Sequence, residues 1–331
     1  MFVEEATGQL VQWRGVSAFR LIDKMLRGEN PRPLLDAFAG FNVLRIWPYV
    51  PWDVGGWDAP PNDEIIACVK TLGTLGWKVE LTLLTDSNPR RYPWAETLID
   101  HLAAARLRNL FIEIGNEPTI HKDIPVERFY ARLNDSGYLW ASGGYEEVFQ
   151  NGDRRQGGRY GVCHTPRDQE WARKGHELLE YHNGAGPDVP HAPWRMPWVA
   201  DEPIRPDQVP VEVRRGRNNL LVSTRLKDYR AYGGVCAIFG AGATFHYAGG
   251  RQAELPNGDE AACARELLRG MTTFSIDAPF GPYAGTRVEH GQLHEARTYP
   301  IGPWMVRVWQ QGDPPEGWVK IDEDGVLCRK V

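Results

Sequence analysis

Two acidic residues stand where they could do chemistry. In "FIEIGNEP" (111–118) the apolar residues Phe111, Ile112 and Ile114 run straight into Asn116, Glu117 and Pro118. The run reads as a buried strand, and Pro118 stops it. An amide and a carboxylate therefore leave the strand side by side. Further along, "MPWVADEP" (196–203) ends a second strand-like run on Asp201 and Glu202. Two carboxylates ~5–5.5 Å apart can cleave a glycosidic bond with retention, one protonating the leaving oxygen while the other attacks the anomeric carbon. Glu117 suits the proton donor, because an apolar strand raises a carboxyl pKa by desolvation and Asn116 can hold a substrate hydroxyl beside it. Glu202 suits the nucleophile, kept ionised by a cation such as Arg45. The plainer alternatives are that Glu117 is a strand-end charge facing water and that "DEP" is a turn opening a helix.

Such a pair needs a scaffold that brings distant strand ends together. Strand-like runs cover residues 13–21, 41–50, 78–86, 111–115, 138–144, 159–166, 196–203 and 242–250. Between them, apolar residues at helical spacing predict helices over 61–77, 94–106, 125–133, 168–182, 220–239 and 259–274. This alternation predicts a (β/α)8 barrel over residues 1–276, with an open doubly wound sheet as the alternative. In a barrel all eight strand exits open on one face. That face would gather Arg45, Trp47 and Tyr49, then Asp86, Asn116, Glu117, Ser142 and His164, and finally Asp201, Glu202, His246 and Tyr247. Residues 277–331 lose the helical spacing and predict a β-rich appendage packed on the barrel. Asp324-Gly325 within "WVKIDEDGVLCRK" (318–330) is a hairpin signal there.

Composition narrows the partners. A net charge of −5 gives no basic footprint for nucleic acid. The start, "MFVEEATGQLVQWRG", has no charged region followed by an apolar run, and no run of 18 apolar residues occurs anywhere. The expectation is a cytoplasmic chain, or one whose leader has been trimmed, with no membrane association. Five cysteines without C-x-x-C spacing read as reduced thiols. Thirteen Trp with 25 Pro and 35 Gly describe long, aromatic-rich loops of the kind that carry binding residues.

"IGNEP" (114–118) resembles the fourth-strand signature of clan A of the glycoside hydrolases, a (β/α)8 superfamily of cellulases, mannanases and β-glycosidases. "RGV" (14–16), "GFNVLRI" (40–46), His164 and "VADEP" (199–203) are similar to the clan's first, second, sixth and seventh strands. The resemblance implies Glu117 as acid/base, Glu202 as nucleophile, Arg45 in contact with the nucleophile, an oligo- or polysaccharide substrate and no cofactor. Three positions depart from it. Asp86 stands where a His is common, Pro166 where a Tyr is common, and His246 with Tyr247 where a Trp is common. These changes leave the two Glu roles intact and put sugar and linkage in question. They also leave open a non-catalytic carbohydrate-binding barrel acting as a structural component of a larger assembly.

The remaining candidates each have two readings. Trp47, Tyr49, Trp52 and Trp57 form either a platform for sugar rings or the filling of the barrel's edge. His164 and His246 lack partners at metal-ligand spacing, so no metal is expected. Tyr247 could hydrogen-bond the nucleophile. Cys163 beside His164 reads as an inward-packed thiol, and Arg214, Arg215 and Arg217 as a solvated loop. Glu113, one turn of the pleat below the strand exit, would need a buried partner such as Arg45.

Overall fold

The computed structural model describes residues 2–3, 10–50, 58–118, 124–143, 160–164, 198–201, 221–238, 241–273, 297–301, 304–308, 316–321 and 327–330. Eight parallel strands carry the architecture: β3 (Arg14–Ser17), β4 (Val43–Ile46), β5 (Lys78–Leu84), β6 (Leu110–Gly115), β7 (Leu139–Ala141), β8 (Gly161–His164), β9 (Trp198–Asp201) and β10 (Gly242–Phe245). Their order in the sheet is β7-β6-β5-β4-β3-β10-β9-β8, the cyclic order of a (β/α)8 barrel. The open doubly wound alternative is thereby set aside. Most strands are shorter than the sequence runs, and β6 instead begins one residue earlier, at Leu110.

The chain divides into two compact units. The first holds residues 14–164 and 246–256. Its strands β3 to β7 pair in register, with Arg45 opposite Ser17 on one side and Glu80 on the other, and Thr82 opposite Glu113. Its helices are α1 (Leu21–Leu26), α2 (Arg32–Ala37), α3 (Asn62–Thr74), α4 (Tyr92–Ala105) and α5 (Tyr130–Ser136). Helix α3 follows Pro61, carries Asp63 and Glu64 in its first turn, and buries Ile65, Ile66, Cys68, Val69 and Leu72. Acidic residues at that end offset the helix dipole, and the apolar spacing puts one stripe on the strands. Helix α4 likewise buries Tyr92, Ala95, Leu98, Ile99 and Leu102. The predicted helix at 125–133 is a 3₁₀ turn (Val126–Phe129) running into α5.

The second unit holds residues 1–13, 165–245 and 257–331. Besides β9 and β10 it contains α6 (Leu221–Ile238) and α7 (Gly258–Thr273). Asn257 and Glu260 form a reciprocal capping box at the start of α7: Glu260 N–H donates to Asn257 Oδ1 and Asn257 N–H to Glu260 Oε2, both at 2.9 Å. A short antiparallel pair, β1 (Phe2–Val3) with β2 (Leu10–Val11), precedes the barrel strands, and Phe2 packs on Trp13. Four more strands, β11 (Arg297–Ile301), β12 (Trp304–Val308), β13 (Trp318–Lys320) and β14 (Leu327–Lys330), form an antiparallel sheet in the order β11-β12-β14-β13. Strands β13 and β14 pair antiparallel, and the predicted turn residues Asp324 and Gly325 between them lie outside the described residues. Cys68, Cys236, Cys263 and Cys328 are buried thiols. Among the described residues, no helix is long and apolar enough to cross a membrane.

Candidate active site at the strand exits

The exit of β6 is pinned from both sides. Asn116 N–H donates to the Leu84 carbonyl at the end of β5 at 2.8 Å, and Gly115 N–H donates to the Ser142 carbonyl beyond β7 at 3.2 Å. Gly143, at φ 131°, makes this approach possible. A Cβ there would lie 2.0 Å from the Gly115 carbonyl oxygen and 2.9 Å from Pro118 Cδ. Immediately past the pinned pair, Glu117 adopts a left-handed backbone at φ 46°. Such a conformation is uncommon for a residue with a Cβ, and it turns the half-buried Glu117 away from the direction of the strand.

Directly behind Asn116 lies a charged layer inside the barrel. Arg45, Glu80, Thr82 and Glu113 are all fully buried. Arg45 forks onto Glu113, with Nε 3.0 Å from Oε2 and Nη2 at 2.8 and 3.1 Å from Oε2 and Oε1. The same Nη2 donates to Asn116 Oδ1 at 3.0 Å. The Thr82 hydroxyl also donates to Glu113 Oε2. Glu80 comes no closer than 4.0 Å to Arg45, and accepts the Tyr160 hydroxyl at 2.8 Å. Glu113 thus has the buried cationic partner that its position demands. Bidentate geometry and extra donors are what allow a dry ion pair to persist.

Aromatic residues wall the layer. Phe19 stacks on Trp47 with centroids 3.6 Å apart and planes 5° apart, and its ring centroid lies 5.1 Å from that of His246. The Arg45 guanidinium carbon sits 5.4 Å from the Phe19 ring and 5.7 Å from Trp47. Of the expected substrate-facing residues, Arg45, Trp47, Asn116 and His246 are therefore brought into one neighbourhood beside Glu117. His164 is the last residue of β8, and Asp201 the last of β9. Glu202, Trp52 and Trp57 lie outside the described residues.

Two expected ligand contacts turn elsewhere. Tyr49 is fully buried, its hydroxyl donating to Asp86 Oδ1 at 3.2 Å and accepting from Thr85 N–H at 3.2 Å. Its ring edges onto Trp94, and the Arg91 guanidinium covers it at 3.8 Å. Burial pushes the Tyr49 phenol well above its ordinary pKa, with the Asp86 carboxylate adding to the rise. This tyrosine fills the wall and holds Asp86, so of its two readings the edge-filling one fits. Tyr247 is also fully buried, with its hydroxyl donating to the Glu254 carbonyl at 2.7 Å and its ring against Phe38. It closes its own loop. Sequence reasoning missed Glu80 and Tyr160. Glu80 carries a signal, since it shares the inward alternation of Lys78, Glu80 and Thr82 in "KVELTLL". Tyr160 carries none, as its partner is 80 positions away.

No protein-family model matches the sequence, and no curated protein does. Solved structures do. An endo-1,4-β-mannanase from Rhizomucor miehei aligns with a TM-score of 0.51 at 13% identity, covering 81% of this chain and 96% of that one. A family 5 glycoside hydrolase from Bacteroides vulgatus gives 0.57 at 12% identity, covering 91% and 76%. A second Bacteroides vulgatus protein, a putative glycoside hydrolase, gives 0.54 at 14%, covering 95% and 66%. At such identities the likeness is one of fold: the chain shares its (β/α)8 barrel with these glycoside hydrolases.

Proposed function

We propose that the protein is a retaining glycoside hydrolase acting on a β-linked glycan, with Glu117 as the acid/base and Glu202 as the nucleophile. The observation that carries this reading is the exit of β6, where an amide fixed by a buried guanidinium stands next to a carboxylate in a left-handed backbone turn. Strained, non-glycine backbone at the C-terminal end of a barrel strand is where such folds place reacting groups. Asn116 would hold a sugar hydroxyl while Glu117 passes its proton to the glycosidic oxygen. Trp47, His246 and His164 would shape the pocket, and Tyr49 and Tyr247 support its wall. Glycoside hydrolases among the structural neighbours support the substrate class.

The test is a panel of β-linked polysaccharides and aryl glycosides offered to the purified protein, with the anomer of the first product followed by NMR. Retention is expected, and inversion would overturn the mechanism. Glu117→Gln and Glu202→Gln should each lower turnover by about 10²–10⁴-fold on any glycan cleaved. A trapped glycosyl adduct located by mass spectrometry should sit on Glu202, and its appearance on another residue would reassign the nucleophile.

A further inference from the structure

We infer that Glu113 is a positioning residue which, through Arg45, fixes the Asn116 amide so that the mouth of the site presents an N–H donor to the bound sugar. The argument begins with what a guanidinium is able to do. It has donors and no acceptor, so the Asn116 atom 3.0 Å from Arg45 Nη2 must be the oxygen. Nδ2 is then the end left to face a ligand, and none of the described residues accepts a hydrogen bond from it. Nη2 has two N–H bonds and, among the described residues, serves the Glu113 carboxylate and Asn116 Oδ1. Clamping Nε and one N–H on Glu113 aims the other N–H at Asn116. Thr82 fixes the clamp in turn by donating to Glu113 Oε2. A monodentate cation could rotate, whereas a planar fork held along one edge cannot.

The inference rests on the reading of Asn116 as a group that touches substrate, and it makes that reading more specific. The sugar atom at this position must be an acceptor. A glycan bearing only a hydrogen there would leave the N–H unsatisfied and be discriminated against. The chain Thr82, Glu113, Arg45, Asn116 thus sets which polar group the site recognises, although only its last member meets the ligand.

Two measurements test this, and only one needs turnover. In the uniformly ¹⁵N-labelled full-length protein, the Asn116 side-chain amide pair is assigned by its loss in Asn116→Asp. Glu113→Gln should shift or broaden that pair, and Glu80→Gln, which removes a charge from the same layer at 4.0 Å from Arg45, should move it less. An unmoved pair in Glu113→Gln, or equal movement in both variants, overturns the inference. If Glu113→Gln does not fold, Thr82→Val should displace the same pair to a smaller extent, and an unmoved pair there counts against the inference equally. On aryl β-glycosides, Glu113→Gln should lower kcat about 10–100-fold and flatten the preference for the hydroxylated sugar over its deoxy analogues. A preserved preference would also overturn it. Movement of the amide pair without cleavage of any glycoside would uphold the positioning role and remove the hydrolase reading instead.

Discussion

Glu117 holds the one backbone conformation in the described site that a side chain makes costly. Among the described non-glycine residues its φ of 46° is matched only by Arg106 at φ 51°, the C-cap of α4, and Ala253 at φ 50°, the C-cap of the 3₁₀ turn that follows β10. Those two end helical turns, where a left-handed residue is routine. Glu117 ends a strand. Glu117→Gly should therefore stabilise the fold by roughly 0.5–1 kcal/mol in urea unfolding while removing turnover, a combination that a solvent-facing charge would not give. Glu117→Gln keeps the strain and should leave the unfolding midpoint unchanged. The chemistry of this residue was legible because Asn116, Glu117 and Pro118 are contiguous. Its backbone angle was not, since it depends on the approach of Gly143 to Gly115 across two strands. Arg45 was legible as a buried cation but not as the partner of Asn116, because that bond depends on where Glu113 holds the fork.

At the scale of elements, periodicity located the described barrel strands and misjudged their ends, while the helix predicted over 168–182 lies outside the described residues. The run 41–50 reads as one strand, yet pairing stops at Ile46 so that Trp47 can stack on Phe19. The pair β1 and β2 escaped notice because two residues are too few to show alternation. Helices α6 and α7 owe their packing to residues that periodicity passes over. A Cβ on Gly270 would lie 2.0 Å from the Arg230 carbonyl oxygen, and one on Gly233 would lie 2.2 Å from that of Leu267. The buried Arg230 on α6 reaches Glu266 on α7 across the same seam. Gly233→Ala or Gly270→Ala should each destabilise by about 1–3 kcal/mol in denaturant, since backbone meets backbone and no rotamer relieves it. Alanine's better helix propensity should offset only about 1 kcal/mol of that. Wild-type stability in either variant would mean that the helices do not cross there.

For the whole molecule, the titration of buried thiols and phenols should lower stability at alkaline pH. Burial raises the Cys68 thiol from 9.0 to about 11, with Glu64 adding to the shift, and burial also raises the Tyr49 and Tyr138 phenols. A folded-state pKa above the unfolded one means that the native state holds its proton more tightly. The contribution is complete below pH 9, falls as pH climbs, and for Cys68 is gone above about 11. Melting temperature should drop steadily between pH 9 and 11, and Cys68→Ala should make the decline shallower. An equally steep decline in that variant would assign the effect to the tyrosines and to Cys236, whose thiol burial also raises. The scaffold itself was legible from the order of its elements, because eight alternations admit few arrangements. The charged interior has a further consequence. Apolar side chains of equal bulk often hold a protein interior as well as a buried ion pair does, or better. Laboratory evolution guided by melting point alone would then favour oily replacements for Arg45 and Glu113, and would harden this protein by dissolving the fork that holds the Asn116 amide.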